Sequence, residues 1–96
     1  MGKMWVEAIR VRSSATALEK AATALNNEVK KINELASVEK AFIMQHATYD
    51  GDLIVFMLWN NEVKPDKTRE GLMIAERLQE LGTIDHAVWI PAEMNN

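Results

Sequence analysis

Two histidines and one carboxylate in an apolar setting are the residues of this chain best suited to moving protons. An imidazole changes charge near neutrality, so His46 or His86 can serve as acid, base or oxyanion partner. Glu7 stands between Trp5 and Ile9 on one face of a β-branched run, and a carboxylate buried there is a candidate general base. Each has a plainer reading. His46 falls near the open end of a hairpin, where it is solvated or hydrogen-bonded; Glu7 can pair with Arg10 or Arg12. Asp85 is next to His86 in sequence but points to the opposite face of a strand, so it cannot readily orient the ring. The histidines have no HxxxH or HxH spacing, and no metal is expected. Trp5, Trp59 and Trp89 can stack on a flat aromatic substrate or simply fill a core. With no cysteine, disulfides, thiolate metal sites and a cysteine nucleophile are excluded. A phosphate loop, a GxSxG elbow, HExxH and the dinucleotide fingerprint are all missing from the sequence, so no cofactor is expected.

The stretch from Val38 to Trp59 must position most of these groups. It holds two apolar runs, Ala41 to Ala47 and Leu53 to Trp59, joined by Tyr49-Asp50-Gly51-Asp52. Asp-Gly suits a two-residue hairpin turn with positive φ. With Asp50-Gly51 at the tip, His46 pairs with Val55, Met44 with Met57 and Phe42 with Trp59 on one face. Ala41, Ile43, Ala47, Ile54, Phe56 and Leu58 occupy the other. Both faces are apolar, so each must be covered.

A short strand, Met4 to Arg12, precedes the hairpin, with Trp5, Glu7, Ile9 and Val11 on one face and Met4, Val6, Ala8, Arg10 and Arg12 on the other. Neither alternation is clean enough to assign the buried side. From Thr16 the period changes: Leu18, Ala22, Leu25, Val29, Ile32 and Ala36 form one stripe of an amphipathic helix of about 20 residues ending near Ser37. Thr16 with Glu19 has the capping-box pattern, and Ser14 is the alternative cap. After a polar loop closed by Pro65, Asp66 or Thr68 caps a second helix with Gly71, Ile74, Ala75 and Leu78 inward and Gly82 as its C-terminal cap. Gly71 inside a helix costs about 1 kcal/mol relative to Ala, so close packing against the sheet, or against a ligand, is its expected reason. Ile84 to Ile90 is a last strand, stopped by Pro91, and residues 91–96 read as a tail.

The order βαββαβ predicts an α+β, ferredoxin-like domain over residues 4–90: a four-stranded antiparallel sheet, strands one and three central, both helices on one face. Ninety-six residues suit one domain burying about two-thirds of its unfolded surface. The face away from the helices would then expose Phe42, Met44, Val55, Met57 and Trp59, more apolar area than a monomer usually shows. A second copy of the chain is the simplest cover. A net charge of −3 argues against nucleic acid, and the third strand lacks the basic and glycine residues of an RNA-recognition motif. No apolar run is long enough to span a bilayer. The start, Met1-Gly2-Lys3-Met4, lacks the apolar segment of a secretory signal, and Val6 stands where a myristoylation signal wants Ser or Thr. A cytoplasmic protein is expected.

These features together resemble the dimeric α/β-barrel superfamily, which includes antibiotic-biosynthesis-monooxygenase-like domains. The resemblance runs from Met4 to Ile90. It is carried by the element order, Asp52-Leu53-Ile54-Val55-Phe56 opening the third strand, Trp59 near its end, Gly82, and the closing His86-Ala87-Val88-Trp89. It implies a homodimer with its sheets face to face and a pocket in each protomer. Members include cofactor-independent oxygenases, haem-degrading enzymes, isomerases and proteins of no known activity. The haem-degrading branch relies on a first-strand Asn, a pocket Trp and a His on the second helix; only Trp59 has a match here. The resemblance does not select a reaction: it implies a dimeric barrel with an apolar pocket, of which one reading is a cofactor-independent monooxygenase-like or isomerase-like enzyme acting on a small organic molecule. Its pocket is expected at Phe42, Met44, Val55, Met57 and Trp59, with His46, His86 or Glu7 reaching in. The alternative is a non-catalytic small-molecule-binding or regulatory dimer.

Overall fold

The computed structural model describes residues 4–92; the first three residues and the part of the expected tail from Glu93 onward lie outside them. The elements are β1 (Trp5–Arg12), α1 (Ala15–Ile32), β2 (Val38–Gln45), β3 (Asp52–Trp59), α2 (Arg69–Gln79) and β4 (Thr83–Trp89). The sheet order is β2-β3-β1-β4, with every neighbouring pair antiparallel. This is the expected ferredoxin-like arrangement, with β1 and β3 central.

Burial resolves the ambiguity of β1. Trp5, Glu7, Ile9 and Val11 face the helices and are buried, together with Val55, Met57 and Trp59 of β3. Leu18, Leu25, Val29 and Ile32 of α1 and Gly71, Ile74, Ala75 and Leu78 of α2 close over them. The apolar stripes place both helices as expected, but α1 stops at Ile32, short of Ser37, and Ala36 is exposed. Asn33 diverts the chain. Its side-chain oxygen accepts from the Ala41 amide at 2.7 Å and its Nδ2 donates to the Ala41 carbonyl at 2.8 Å, which fastens the helix end to edge strand β2. Ser14, the alternative cap, is the N-cap of α1 and accepts from the Ala17 amide.

The hairpin departs from expectation in register. Phe42 lies opposite Phe56 and Met44 opposite Ile54, three residues away from the pairing that a two-residue turn would give. An odd shift exchanges the faces of one strand relative to the other. Val55, Met57 and Trp59 therefore do not share a face with Phe42 and Met44; they lie under the helices. The connection is longer because no described glycine has positive φ, so Asp50-Gly51 does not form the assumed turn. His46 donates its amide to the Asp52 carbonyl at 2.8 Å, and the Asp52 amide donates to the Tyr49 carbonyl at 3.2 Å. Gly51 is required for room. Its carbonyl accepts from the Ser13 amide at 2.7 Å, and a Cβ there would collide with the Ser13 carbonyl. Gly82 is likewise not the C-cap of α2, which is Glu80; it gives the chain room to pass against Arg12 and Ser13.

Candidate functional site

Glu7 is completely buried in β1, beneath the first turn of α2. A carboxylate in such a place must be fully hydrogen-bonded to be tolerated, and four donors converge on it. Oε1 accepts from the indole N–H of Trp59 at 3.0 Å and from the Thr68 hydroxyl at 2.6 Å. Oε2 accepts from the Thr68 amide at 3.0 Å and meets Nε2 of His86 at 2.6 Å. Thr68 is the N-cap of α2, and its hydroxyl oxygen in turn accepts from the Gly71 amide at 2.9 Å.

This is a capping box assembled across the fold. In the local version the third helical residue returns a carboxylate to the N-cap amide. Here that residue is Gly71, which has no side chain, and β1 supplies the carboxylate instead. A Cβ on Gly71 would overlap the Glu7 carboxylate, so the glycine is what lets the helix end settle onto the charge. The N-terminal end of a helix also favours a negative group electrostatically. Close packing is thus the reason for the glycine in the first turn of α2.

His86 projects from β4 opposite Ile9 and its side chain is 5% exposed. Asp85 points to the other face, opposite Arg10, as strand alternation predicts. Because the carboxylate already receives three N–H or O–H donors, the ring completes the set as an Nε2–H donor. That tautomer leaves the lone pair on Nδ1 as its basic position. Glu7 itself has no acceptor position left over. The cluster can therefore orient an imidazole, and Glu7 can accept a proton only by giving up one of its partners.

The remaining expected site residues are dispersed. Trp5 and Trp59 stack on each other at 6.0 Å in the core, and Trp5 donates to the Val63 carbonyl at 2.8 Å. Trp89 is on the opposite side of the sheet and 64% exposed. His46 is in the β2–β3 connection, remote in the fold from Glu7, where its Nδ1 accepts from the amides of Thr48 and Tyr49. Phe42 stacks on Phe56 at 5.4 Å on the open sheet face, beside Met44. Near them Arg10, Met44, Gln45, His46, Asp52, Leu53, Ile54 and Phe56 line an open groove of about 500 Å³.

One charged centre had no signal in the sequence. Asp52, nearly buried, accepts from Arg10 Nε at 2.9 Å and Nη2 at 2.6 Å, and from Arg12 Nη2 at 3.2 Å. Hydrogen bonds from Arg10, then from Arg12, hold its carboxyl well below the usual carboxylate range despite burial. The same hydrogen bond and the charge of Asp52 raise Arg10. Once β1 and β3 are paired, residues 10, 12 and 52 share a face and an end; in the sequence Asp52 is 40 or more positions from either arginine. Among the described residues no group of three His, Cys, Asp or Glu side chains is placed to hold a metal ion, and no helix is long and apolar enough to cross a membrane.

No family model matches the sequence, and no curated protein matches it. Solved structures do match in fold. A conserved protein of unknown function from Bacteroides thetaiotaomicron, suggested to be an oxidoreductase, superposes with a TM-score of 0.73 at 19% identity, covering 93% of this chain and 98% of that one. A protein from Nitrosomonas europaea named as a candidate antibiotic biosynthesis monooxygenase gives 0.73 at 11% identity, over 95% and 92%. Another so named, from Deinococcus radiodurans, gives 0.68 at 9% identity over 96% of each chain. At these identities the likeness is one of fold, in agreement with the ferredoxin-like βαββαβ arrangement expected from the sequence.

Proposed function

We propose that this chain acts as a homodimer on a small apolar or aromatic organic molecule, with His86 as the proton-transferring group and Glu7 as the residue that positions it. The observation that carries the reading is the 2.6 Å contact between His86 Nε2 and a carboxylate otherwise saturated by Thr68 and Trp59. A base held by a fixed acceptor is the arrangement that general-base chemistry uses. Removal of a proton from an enolisable or phenolic substrate is the step shared by isomerase-like and cofactor-independent monooxygenase-like reactions. The neighbours named as candidate monooxygenases lend support through their fold alone.

The test is a panel of enolisable ketones and hydroquinones in D2O under air, following C–H exchange by NMR together with oxygen uptake. Wild type should turn over at least one member, and His86→Ala should lose about 100-fold or more of that rate. Glu7→Gln should lower kcat and alter its pH profile with less change in KM. An active wild type indifferent to His86→Ala would overturn the assignment. A second reading, a non-catalytic binding dimer, is favoured by the saturation of Glu7, which is what a purely structural brace would show. It predicts ligands that raise the melting temperature without any exchange or oxygen uptake.

A further inference from the structure

The β2–β3 connection is closed by an imidazole acting as a hydrogen-bond acceptor. Nδ1 of His46 receives the Thr48 amide at 2.9 Å and the Tyr49 amide at 3.1 Å. These are the i+2 and i+3 positions that an Asx or Ser/Thr side chain would hold in a turn. The Tyr49 ring lies against the imidazole at 5.1 Å between centroids. The geometry points to a proton-sensitive latch: we propose that protonation of His46 releases residues 47–49 of the β2–β3 connection.

The reason is a matter of lone pairs. Neutral imidazole has one nitrogen acceptor, and both amides use it, so the latched ring carries its proton on Nε2. A second proton can be taken up only at Nδ1, which places an N–H against two N–H donors. The ring must then turn away, and the freed amides bond to water. His46 is exposed, so the imidazolium is solvated wherever it turns. Arg10 of β1 and Asp52 of β3 line the open sheet-face groove together with His46, but they are hydrogen-bonded to each other. Asp50 in the connection and Glu19 of α1 line the adjoining depression with Gln45. The remaining anchors contain no imidazole side-chain bond: Gly51 to Ser13, the His46 amide to Asp52, and the Asp52 amide to Tyr49. Only the limb from Ala47 to Tyr49 is therefore controlled by the proton. None of this depends on chemistry at His86.

Three forms of the full chain, wild type, His46→Asn and His46→Ala, should be compared by 15N NMR and amide exchange at pH 8 and pH 5. In wild type at pH 8, Nδ1 of His46 should show the shift of an unprotonated acceptor, and Thr48 and Tyr49 should be protected. At pH 5 that protection should fall at least tenfold. Asparagine retains an acceptor without a titrating ring, so His46→Asn should protect both amides at both pH values, and His46→Ala at neither. Protection in wild type that is unchanged between pH 8 and pH 5, or an Nδ1–H tautomer at pH 8, would each overturn the proposal.

Discussion

At the scale of the residue, Gly71 and Glu7 form one unit. Substituting Ala for Gly in a helix interior ordinarily stabilises it by about 1 kcal/mol. At Gly71 the added methyl meets the Glu7 carboxylate, so Gly71→Ala should instead destabilise by about 1–3 kcal/mol, measured by chemical denaturation. The double variant Glu7→Ala with Gly71→Ala should be more stable than the sum of the two single changes predicts, since the methyl then enters vacated space. Strict additivity would show that the two residues do not share that space. That Glu7 shares a face with Trp5 and Ile9 was legible from strand alternation. Its partners were not, because Thr68 is 61 residues away and adjacency across that interval is created only when α2 docks on the sheet.

At the scale of the element, Asp52 ties the start of β3 to the end of β1. Arg10 and Arg12 lower its folded-state pKa, so near its ordinary value of 3.8 the unfolded chain binds more protons than the folded one. Stability then rises with pH through that range, is fully present above it, and is lost as pH falls toward the depressed folded value. Asp52→Asn should flatten this acid limb of the stability profile and lower stability at neutral pH, as read from denaturation midpoints between pH 2 and pH 7. An unchanged acid limb would mean that other carboxylates carry it. The hairpin shows the same dependence on distant groups. Both strands were legible from their apolar runs, whereas register follows from a six-residue connection whose length is set by His46 and Ser13. Asp50-Gly51 carries the local signature of a tighter turn, but the contact of Gly51 with Ser13 overrides it.

At the scale of the molecule, the unpartnered sheet face dominates. Phe42, Met44, Ile54, Phe56, Leu58 and Trp89 share it; Met44 and Trp89 are exposed and the other four half-buried, a contiguous apolar surface of the kind that marks an interaction site. The homodimer proposed above covers this face. Sedimentation velocity should find wild type dimeric at micromolar concentration, and Phe56→Glu, which places a charge at the centre of the patch, should be monomeric with its secondary structure intact. A wild-type monomer at all accessible concentrations would remove the face-to-face barrel from consideration.

The sequence by itself determined the element order, the inward stripes of both helices, the central position of β1 and β3, and the ferredoxin-like topology. Those follow from hydrophobic periodicity and from the handedness of strand-helix-strand units, which are local or nearly so. Tertiary structure alone decided which face of each hairpin strand is buried, moving Val55, Met57 and Trp59 from the expected open face into the core. It also decided that Glu7, Thr68, Trp59 and His86 meet at one point. Strand register and the docking of a helix end are settled by contacts between residues far apart in the chain, and no spacing within the sequence encodes them.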